Sequence, residues 1–262
     1  MDSVHFTRHE FLRLGLEPLL PPLYRAVRRS LRMEAKRDSP VCNILDVGGR
    51  KSPYTIGVPG RITIIDLPRE SDIQRTLHLG ITETIVGKMK KRRSNLEAVI
   101  FADRTDSGLP SDFYDVVVSV EVLEHVEDDE KFVSEVGRVL KPGGRFIMTT
   151  PNGDFLENHN PDHKRHYKRH QLVELLERHF AYVKVDYAIA GGYFRKLGLR
   201  SWSATRPFRT ASSMIGNIIN SAQSRRSGIS RQAIGTHHLI AWAEKSRDLA
   251  AGPIQMDAEA EA

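Results

Sequence analysis

The chain has 262 residues, 40% hydrophobic and 27% charged, as is typical of a globular protein long enough to bury a substantial core. Its single cysteine, Cys42, excludes an intrachain disulfide and suits a reducing compartment. No apolar run approaches the roughly 18 residues of a membrane span, and the arginines and prolines of the first 30 residues do not fit a secretory signal. A cytoplasmic location without transmembrane segments is therefore expected.

Residues 1–40 are predicted to form a basic helical segment. Three prolines between residues 18 and 22 separate two helices, because proline in a helix interior is costly. In the second helix Leu23, Val27 and Leu31 recur at every fourth position, while arginines occupy much of the remaining surface. Such a helix packs on a core or a substrate pocket, and it also suits peripheral contact with a membrane surface.

Residues 41–190 alternate between short apolar runs and longer helical patterns, which predicts a parallel sheet with crossover helices. The near-continuous β-branched strand cores indicate that helices cover both faces of the sheet. A basic run at residues 88–93 is expected to end a helix that begins near Ser71. The predicted strands are Val41–Val47, Arg61–Asp66, Leu96–Ala102, Tyr114–Val120, Arg145–Thr150 and Tyr182–Ala190, and two further predicted helices are Asp128–Leu140 and Lys168–Phe180.

The stretch 191–235 interrupts this rhythm with eight arginines and lysines and no acidic residue, so the rest of the chain carries a formal charge of −2 within the total of +6. A local charge of this sign favours an anionic partner, although a solvated basic loop would have the same composition. The segment is interpreted as an insert and substrate lid. Residues 236–244 then predict the last strand, and residues 245–262 predict a disordered tail.

Candidate binding residues follow the first three predicted strands. The first strand runs into Gly48 and Gly49, which allow the backbone to approach a ligand closely. Asp66 ends the second strand 20 residues after Asp46, a spacing at which a carboxylate reaches both hydroxyls of a ribose. Asp103 follows the third strand, where it can accept a hydrogen bond from an exocyclic amine. These features indicate a nucleoside-containing cofactor but leave open a dinucleotide or S-adenosylmethionine.

A resemblance to a known family narrows the choice. The motifs ILDVGG, IIDLP, FAD, LPSDFYDVVVSVEVLEHV, LKPGGRFIMTTPN and HNPDHKRHY lie in this order between Asn43 and about Phe180. In order and spacing they resemble the class I S-adenosylmethionine-dependent methyltransferases of the type 11 and type 23 groups. The resemblance implies an α/β fold, a Rossmann-like doubly wound sheet of seven strands, mostly parallel with an antiparallel last strand. It also implies S-adenosyl-L-methionine as the cofactor.

The resemblance assigns roles to seven residues. The loop after the first strand would surround the methionine part of the cofactor, the next two carboxylates would bind the ribose and the adenine amine, and the end of the fourth strand would lie beneath the sulfonium. These cofactor-binding residues are Asp46, Gly48, Gly49, Asp66, Asp103, Ser119 and Glu121. The alternative roles are a loop-fixing carboxylate for the first aspartate and helix N-caps for the other two.

The glycine loop departs from the family pattern, because Gly49 is followed by Arg50, Lys51 and Ser52 instead of alternating glycines. Loss of these glycines restricts the approach of the backbone to the cofactor. Either Arg50 or Lys51 could pair with the cofactor carboxylate, so binding is expected with an altered loop path.

Methyl transfer to an alcohol needs a base for the departing proton, whereas transfer to a carboxylate or neutral amine does not. His125 and His163 are the predicted catalytic bases, and the alternative for His125 is a structural role in capping or bracing the loop after the fourth strand. The run from Glu121 to His125 is similar to one that binds a divalent ion in small-RNA 2′-O-methyltransferases and some ubiquinone-pathway O-methyltransferases. The same run occurs widely in relatives not known to use metal, and no metal site is predicted.

The predicted function is O-methylation of a small, anionic molecule such as a saccharide or glycolipid precursor. This interpretation depends on the TPN…HNPDHKRHY stretch, which is similar to that of sugar and cell-surface-polysaccharide methyltransferases. An RNA 2′-O-methyltransferase is the first alternative; the basic balance favours it, while few aromatic residues in the insert and no recognisable RNA module speak against nucleic acid. A non-catalytic binding protein with a methyltransferase fold is the second, and its support is the altered glycine loop.

Overall fold

The computed structural model describes residues 6–37, 41–49, 52–67 and 83–247. Within these residues seven strands form one sheet in the order β3-β2-β1-β4-β5-β7-β6, and β7 runs antiparallel to both of its neighbours. The predicted doubly wound sheet with an antiparallel last strand is therefore confirmed. The strands are β1 (Asn43–Val47), β2 (Arg61–Asp66), β3 (Leu96–Phe101), β4 (Tyr114–Val120), β5 (Leu140–Pro151), β6 (Tyr182–Ala190) and β7 (Thr236–Glu244).

The described helices lie on both faces of this sheet. Among them the predicted helix, break and helix of the N-terminal segment are present, with a short 3-10 turn at Glu17–Leu19 between the two. The predicted start near Ser71 of the third helix lies outside the described residues. The helices are α1 (Arg8–Gly15), α2 (Pro22–Glu34), α3 (Glu83–Arg92), α4 (Asp129–Val139), α5 (Arg169–Glu177), α6 (Tyr193–Gly198) and α7 (Pro207–Ser224).

Two hydrophobic clusters hold the helices to the sheet. On one face Phe132 of α4 and Leu172 of α5 pack with Phe146 of β5, and all three side chains are fully buried. On the other face α2 inserts Val27 and Leu31, also fully buried, against β1, β2 and β5. Because burial of each such side chain contributes roughly 1.5–3 kcal/mol, α2 is part of the core of the protein.

Strand β5 is longer than the sequence predicts. It begins at Leu140, immediately after α4, because Leu140 pairs with Tyr114 before a register shift brings Arg145 opposite Val116. Gly143 lies in this irregular stretch with a φ of 75°, a backbone conformation that suits glycine. The Pro142-Gly143-Gly144 sequence therefore forms part of the first, irregular stretch of the strand.

The basic segment 191–235 contains helices that its sequence did not predict. Asn217 of α7 donates hydrogen bonds to the carbonyls of Leu19 and Gly198, and Asn220 donates to the carbonyl of Ala190. These bonds are buried, so α7 is joined to the N-terminal segment and to the end of β6. The predicted domain boundaries remain a prediction, and the part of the predicted tail beyond residue 247 lies outside the described residues.

No helix in the described ranges combines the length and the apolar character needed to cross a membrane.

Candidate active site

The predicted cofactor-binding residues meet at one edge of the sheet. Strands β1 and β4 are neighbours, with Val47 opposite Ser119, and β2 ends beside β3 with Asp66 opposite Phe101. The order of the strands reverses between β1 and β4, and in open α/β sheets ligands bind in the crevice at such a point. The structure therefore brings these side chains to the position where a nucleoside cofactor is expected.

The loop after β1 is closed tightly against its surroundings. Gly48 has a φ of 71°, and a Cβ atom there would lie 2.6 Å from Cγ2 of Val122. A Cβ atom on Gly49 would collide with the carboxylate of Asp46. Ser52, which is buried, donates through its hydroxyl to the carbonyl of Gly49 and so turns inward. Arg50 and Lys51, the predicted partners of the cofactor carboxylate, lie outside the described residues.

Asp46 supports this loop from beneath. Its side chain is fully buried, and its two oxygens accept hydrogen bonds from the Tyr54 hydroxyl at 3.0 Å and the Thr55 hydroxyl at 3.4 Å. Burial raises the pKa of Asp46 to about 6, although these hydroxyls and the nearby Arg93 act in the opposite direction. The carboxylate thus stands where it can fix the shape of the loop.

The two carboxylates beyond β1 are engaged differently. Asp66, half-buried, accepts a bond from the backbone N–H of Leu67 at 2.8 Å. Asp103 is exposed and accepts bonds from the backbone N–H and the hydroxyl of Thr105, which together lower the pKa of its carboxyl. Arg104 lies within electrostatic range of both aspartates; burial lowers the pKa of its guanidinium while the two carboxylates raise it.

The end of β4 carries a buried serine hydroxyl, and it is followed by a glutamate whose backbone is strained. Ser119 is fully buried, and its Oγ has no hydrogen-bond partner in the described structure. Glu121 has a φ of 56°, a conformation that costs a non-glycine residue about 1–3 kcal/mol and that is concentrated at functional sites. Its Oε1 accepts bonds from the hydroxyl of Thr149 at 2.9 Å and from Nδ1 of His238 at 3.1 Å. Burial acts to raise the pKa of Glu121, but these two partners bring it below its usual value.

Glu124 lies one turn further on and is 1% exposed. Its Oε2 accepts a hydrogen bond from the hydroxyl of Thr150, whereas its Oε1 is buried and has no partner among the described atoms. Burial, followed by the charge of Glu121, raises the pKa of this carboxyl well above its usual value.

The two predicted catalytic histidines lie side by side. The rings of His125 and His163 are perpendicular, with centroids 4.6 Å apart. His125 Nδ1 is 2.9 Å from the carbonyl oxygen of Asp162, His163 Nδ1 is 2.8 Å from Nε2 of His166, and His166 Nδ1 is 3.3 Å from the carbonyl of Leu156.

These partners assign the tautomers, because a carbonyl oxygen can only accept a hydrogen bond. His166 donates from Nδ1 to Leu156, so a neutral His166 accepts at Nε2 from the Nδ1–H of His163. The Nε2 of His163 is then left as a free acceptor. Burial, together with the charges of His125 and His166, lowers the pKa of His163, which favours the neutral, basic form.

Glu124, His125 and His163 could also hold a divalent ion. One ligand atom from each of them lies within 4.8 Å of the others. Two imidazoles and a carboxylate suit zinc or a redox-active transition metal. The sequence resembles that of metal-binding relatives at these residues, but no metal site was predicted from it. In the structure Glu121 instead belongs to the pair with His238.

The sequence analysis missed three residues beside Glu121. Tyr24 of α2, Arg195 of α6 and His238 of β7 line a cavity of about 190 Å³ together with Glu121. The Arg195 guanidinium donates to Nε2 of His237, and burial lowers the pKa of Arg195 to about 10. An antiparallel last strand begins at the edge where the parallel strands end, so the histidines that begin β7 could have been assigned to this edge from topology alone.

The middle of the chain is similar to a known protein family. Residues 60–148 match a family model described as a methyltransferase domain. This span begins after β1 and its glycine loop and extends into β5.

Curated relatives match over a part of their length. A probable S-adenosylmethionine-dependent methyltransferase of Mycolicibacterium smegmatis is 36% identical over 109 residues, which is 40% of this chain and 42% of the relative. A ubiquinone biosynthesis O-methyltransferase of Salmonella enteritidis is 28% identical over 104 residues, 39% of this chain and 43% of the relative. The chain thus spans less than half the length of these relatives.

Solved structures match over most of the chain. A SAM-dependent methyltransferase from Archaeoglobus fulgidus aligns with a TM-score of 0.52 and 18% identity, covering 85% of this chain and 94% of the other. A phosphoethanolamine N-methyltransferase from Haemonchus contortus, in complex with S-adenosylhomocysteine, aligns with a TM-score of 0.55 and 16% identity, covering 84% and 53%. The fold is shared with these proteins. Together with the family match and the relatives, this confirms the predicted resemblance to methyltransferases that use S-adenosyl-L-methionine.

Proposed function

We propose that the chain is a class I, S-adenosylmethionine-dependent methyltransferase and that it transfers the methyl group of this cofactor to a hydroxyl oxygen of a small molecule. The class of acceptor proposed is a saccharide or a glycolipid precursor. The observation that carries the choice of oxygen is the paired His125 and His163 at the cofactor edge, with Nε2 of His163 free to accept a proton.

The residues at the sheet edge fit the cofactor. The loop at Gly48 and Gly49 leaves no space for a side chain and can follow the methionine part closely. Asp66 would bind the ribose hydroxyls, and Asp103, whose lowered pKa keeps it ionised, would accept from the adenine amine. The unpartnered hydroxyl of Ser119 would face the same crevice. The cofactor supplies an electrophilic methyl group on a positively charged sulfur.

The transfer of a methyl group to an alcohol releases one proton for each new bond. The acceptor oxygen would form the bond to the methyl carbon, and the sulfur of the bound cofactor would keep the electron pair of the broken sulfur–carbon bond. The hydroxyl proton passes to Nε2 of His163, and the bond from Nδ1–H to His166 stabilises the imidazolium that results. A positioned base of this kind contributes roughly 10²- to 10⁴-fold in rate.

Two further observations support the proposed acceptor. The stretch 152–168, which resembles that of sugar methyltransferases, carries His163 and is fixed to the sheet edge by a bond from the backbone N–H of Lys164 to the carbonyl of Glu124. One relative is named as an O-methyltransferase.

The single cysteine, Cys42, is buried and has a pKa raised by that burial, which suits the cytoplasmic location proposed here.

The proposal is tested by methyl transfer from tritium-labelled S-adenosylmethionine to a panel of hydroxylated saccharides and glycolipid precursors, with an RNA oligonucleotide as the alternative acceptor. His163→Gln is expected to lower kcat by about 10²- to 10⁴-fold with unchanged cofactor affinity by calorimetry. The acidic limb of the wild-type kcat/KM profile is expected to have its midpoint below pH 6.5, because His163 must be neutral to act and its pKa is lowered.

His159→Gln is the matched control, since His159 lies in the same loop with its side chain 82% exposed and paired with Glu157. A full rate in His163→Gln would contradict the assignment of the base. Loss of activity on EDTA treatment, restored by a divalent ion, would instead make His163 a metal ligand. Transfer to RNA alone would overturn the small-molecule acceptor.

A further inference from the structure

A second, larger cavity lies beside the site, between α1, α3 and the chain that follows α6. Its volume is about 520 Å³. Arg13 of α1, Lys88 and Arg92 of α3, and Arg200 line it, and we call this group the cationic cleft. No acidic residue is among the described residues that line the cavity.

These four cations have no counter-charge among the described residues. None of them forms an ion pair with any carboxylate in the described ranges. By contrast Arg93, which follows the last residue of α3, donates to the carbonyl of Ser52 and lies near Asp46. The one buried carboxylate of α1, Glu10, is fully used by the backbone N–H of Thr7 and by Ser94.

The basic side chains of the cleft lower the pKa of their neighbours and so disfavour their charged forms. Arg13 is half-buried, and burial together with the charge of Arg92 lowers its pKa. His9, on the same side of α1, has its pKa lowered by burial and by Arg13, Arg92 and Arg93, and its Nδ1 is buried without a partner. Like charges held close together repel each other, and an anionic ligand would relieve that repulsion.

Much of the remaining wall of the cavity is apolar, and this part leads to the sheet edge. Leu20, Tyr24, Met89 and Trp202 form part of it. Tyr24 also lines the smaller cavity that contains Glu121, so the two cavities adjoin each other. A ligand with its charge in the cationic cleft can therefore extend past an aromatic surface toward the position of the methyl donor.

We propose that the cationic cleft binds the phosphate or diphosphate group of the methyl acceptor. This inference rests on the proposed function and names the anion of its substrate. Three arginines favour phosphate, because the planar guanidinium binds phosphate oxygens in pairs. Four unpaired cations suit a group with more than one negative charge. Most of this charge comes from α1 and α3, with Arg200 the contribution of the basic segment 191–235.

The test is calorimetric titration of the full chain with inorganic pyrophosphate in the presence of S-adenosylhomocysteine. Hydrogen bonds to charged groups are worth about 1.5–3 kcal/mol, so Arg13→Gln and Arg92→Gln should each weaken pyrophosphate binding about tenfold or more. The double variant should weaken it about a hundredfold, with the affinity for S-adenosylhomocysteine unchanged. UDP-glucose and farnesyl diphosphate, compared as further titrants, distinguish a nucleotide-linked from a lipid-linked acceptor.

The control is the double variant Arg8→Gln with Lys90→Gln, which removes the same charge from exposed positions of the same two helices. Equal weakening in this control would overturn the proposal in favour of diffuse charge. A measurement without variants is the thermal midpoint of the wild type, which pyrophosphate should raise more than sodium chloride at equal ionic strength.

If pyrophosphate neither binds in the titration nor raises the thermal midpoint, while S-adenosylhomocysteine binds, this proposal is overturned and the proposed function stands. The reverse result, pyrophosphate bound and S-adenosylhomocysteine not, would remove the methyltransferase function and leave the anion site. Binding of RNA or of phosphatidylglycerol vesicles that the cleft variants abolish, with pyrophosphate silent, would replace the small ligand by a macromolecular one.

Discussion

Asp66 stands half-buried at the end of β2, where a carboxylate can bind both hydroxyls of a ribose. Removal of the side chain in Asp66→Ala should therefore weaken S-adenosylmethionine binding without loss of the fold. The loss of hydrogen bonds to a charged group, about 1.5–3 kcal/mol, corresponds to roughly 10- to 150-fold in the dissociation constant. Calorimetry beside circular dichroism measures both properties.

Glu97→Ala is the control for this substitution. Glu97 is an exposed carboxylate near the start of β3, away from the edge where the parallel strands end. Its replacement should leave cofactor affinity unchanged. An unchanged affinity in Asp66→Ala as well would show that the ribose lies elsewhere.

Asp46 allows a prediction about pH. Burial raises its pKa to about 6 from the ordinary 3.8, so between about pH 4 and pH 6 the folded protein holds a proton that the unfolded chain has lost. The free energy of unfolding must then fall as the pH rises through this window, by about 3 kcal/mol at 1.36 kcal/mol for each pH unit. Asp46→Asn cannot titrate and should lack this loss.

The measurement is urea unfolding of the wild type and of Asp46→Asn from pH 4 to pH 8. The free energy of unfolding of the variant should rise relative to that of the wild type as the pH increases to about 6. Above that pH the difference between the two should stay constant. Parallel profiles would mean that the carboxyl is ionised throughout. Because Asp46 acts on the loop from beneath, cofactor affinity in Asp46→Asn should change only a few-fold; a complete loss would indicate direct contact with the cofactor.

At the scale of elements, the loop from residue 152 to residue 168 positions the proposed base. The backbone N–H of Gly153 donates to the carbonyl of Tyr167, and a Cβ atom on Gly153 would lie 2.7 Å from the carbonyl oxygen of His166. Gly153→Ala should therefore displace the segment that holds His163. A displacement of about 1 Å can cost about a hundredfold in rate, so kcat should fall on that order while cofactor affinity is retained.

Gly137→Ala provides the matched control, because a Cβ atom at Gly137 in α4 meets nothing within 4 Å. Alanine in a helix interior is favoured over glycine by about 1 kcal/mol, so this variant should be more stable and fully active. A normal rate in Gly153→Ala would show that the loop adapts and that its position does not limit the reaction.

The sequence predicts the strands of the sheet better than it predicts the side-chain contacts at the edge where the parallel strands end. Strands β2, β4 and β6 have the predicted bounds, because their apolar runs are short and end at polar or glycine residues. The pairing of His163 with His166 follows from a close spacing in one loop. The contact of Glu121 with His238 joins residues 117 positions apart, and local periodicity carries no information about such a pair.

At the scale of the whole molecule, the cationic cleft illustrates the same limit. Its charges come from α1, from α3 and from Arg200, which follows α6. In the sequence none of these basic residues differs from an ordinary basic surface. The charge excess of residues 191–235 was visible in the sequence, but its helices were not. Apolar residues of α7 such as Phe208 and Ile215 are exposed, whereas polar residues such as Asn217 and Asn220 fill its buried face. Burial of these amides depends on carbonyls from distant segments.

That burial leads to a prediction about cooperativity. Asn217 and Asn220 join α7 to Leu19 and Ala190, and the release of each buried bond costs about 1–3 kcal/mol. Residues 191–235 should therefore unfold together with the sheet, even if they act as the substrate lid. The two tryptophans report separately, since Trp202 lies in the basic segment and Trp242 lies in β7.

Urea unfolding followed by fluorescence in Trp242→Phe and in Trp202→Phe isolates the two reporters. Each single-tryptophan variant should show one transition whose midpoint agrees with its own circular dichroism, as a two-state unit requires. Comparison within each variant serves as the control, because it removes any change in stability that the substitution itself causes. A loss of the Trp202 signal at lower urea than the circular dichroism of the same variant would contradict the prediction and identify residues 191–235 as a lid that opens before the core unfolds.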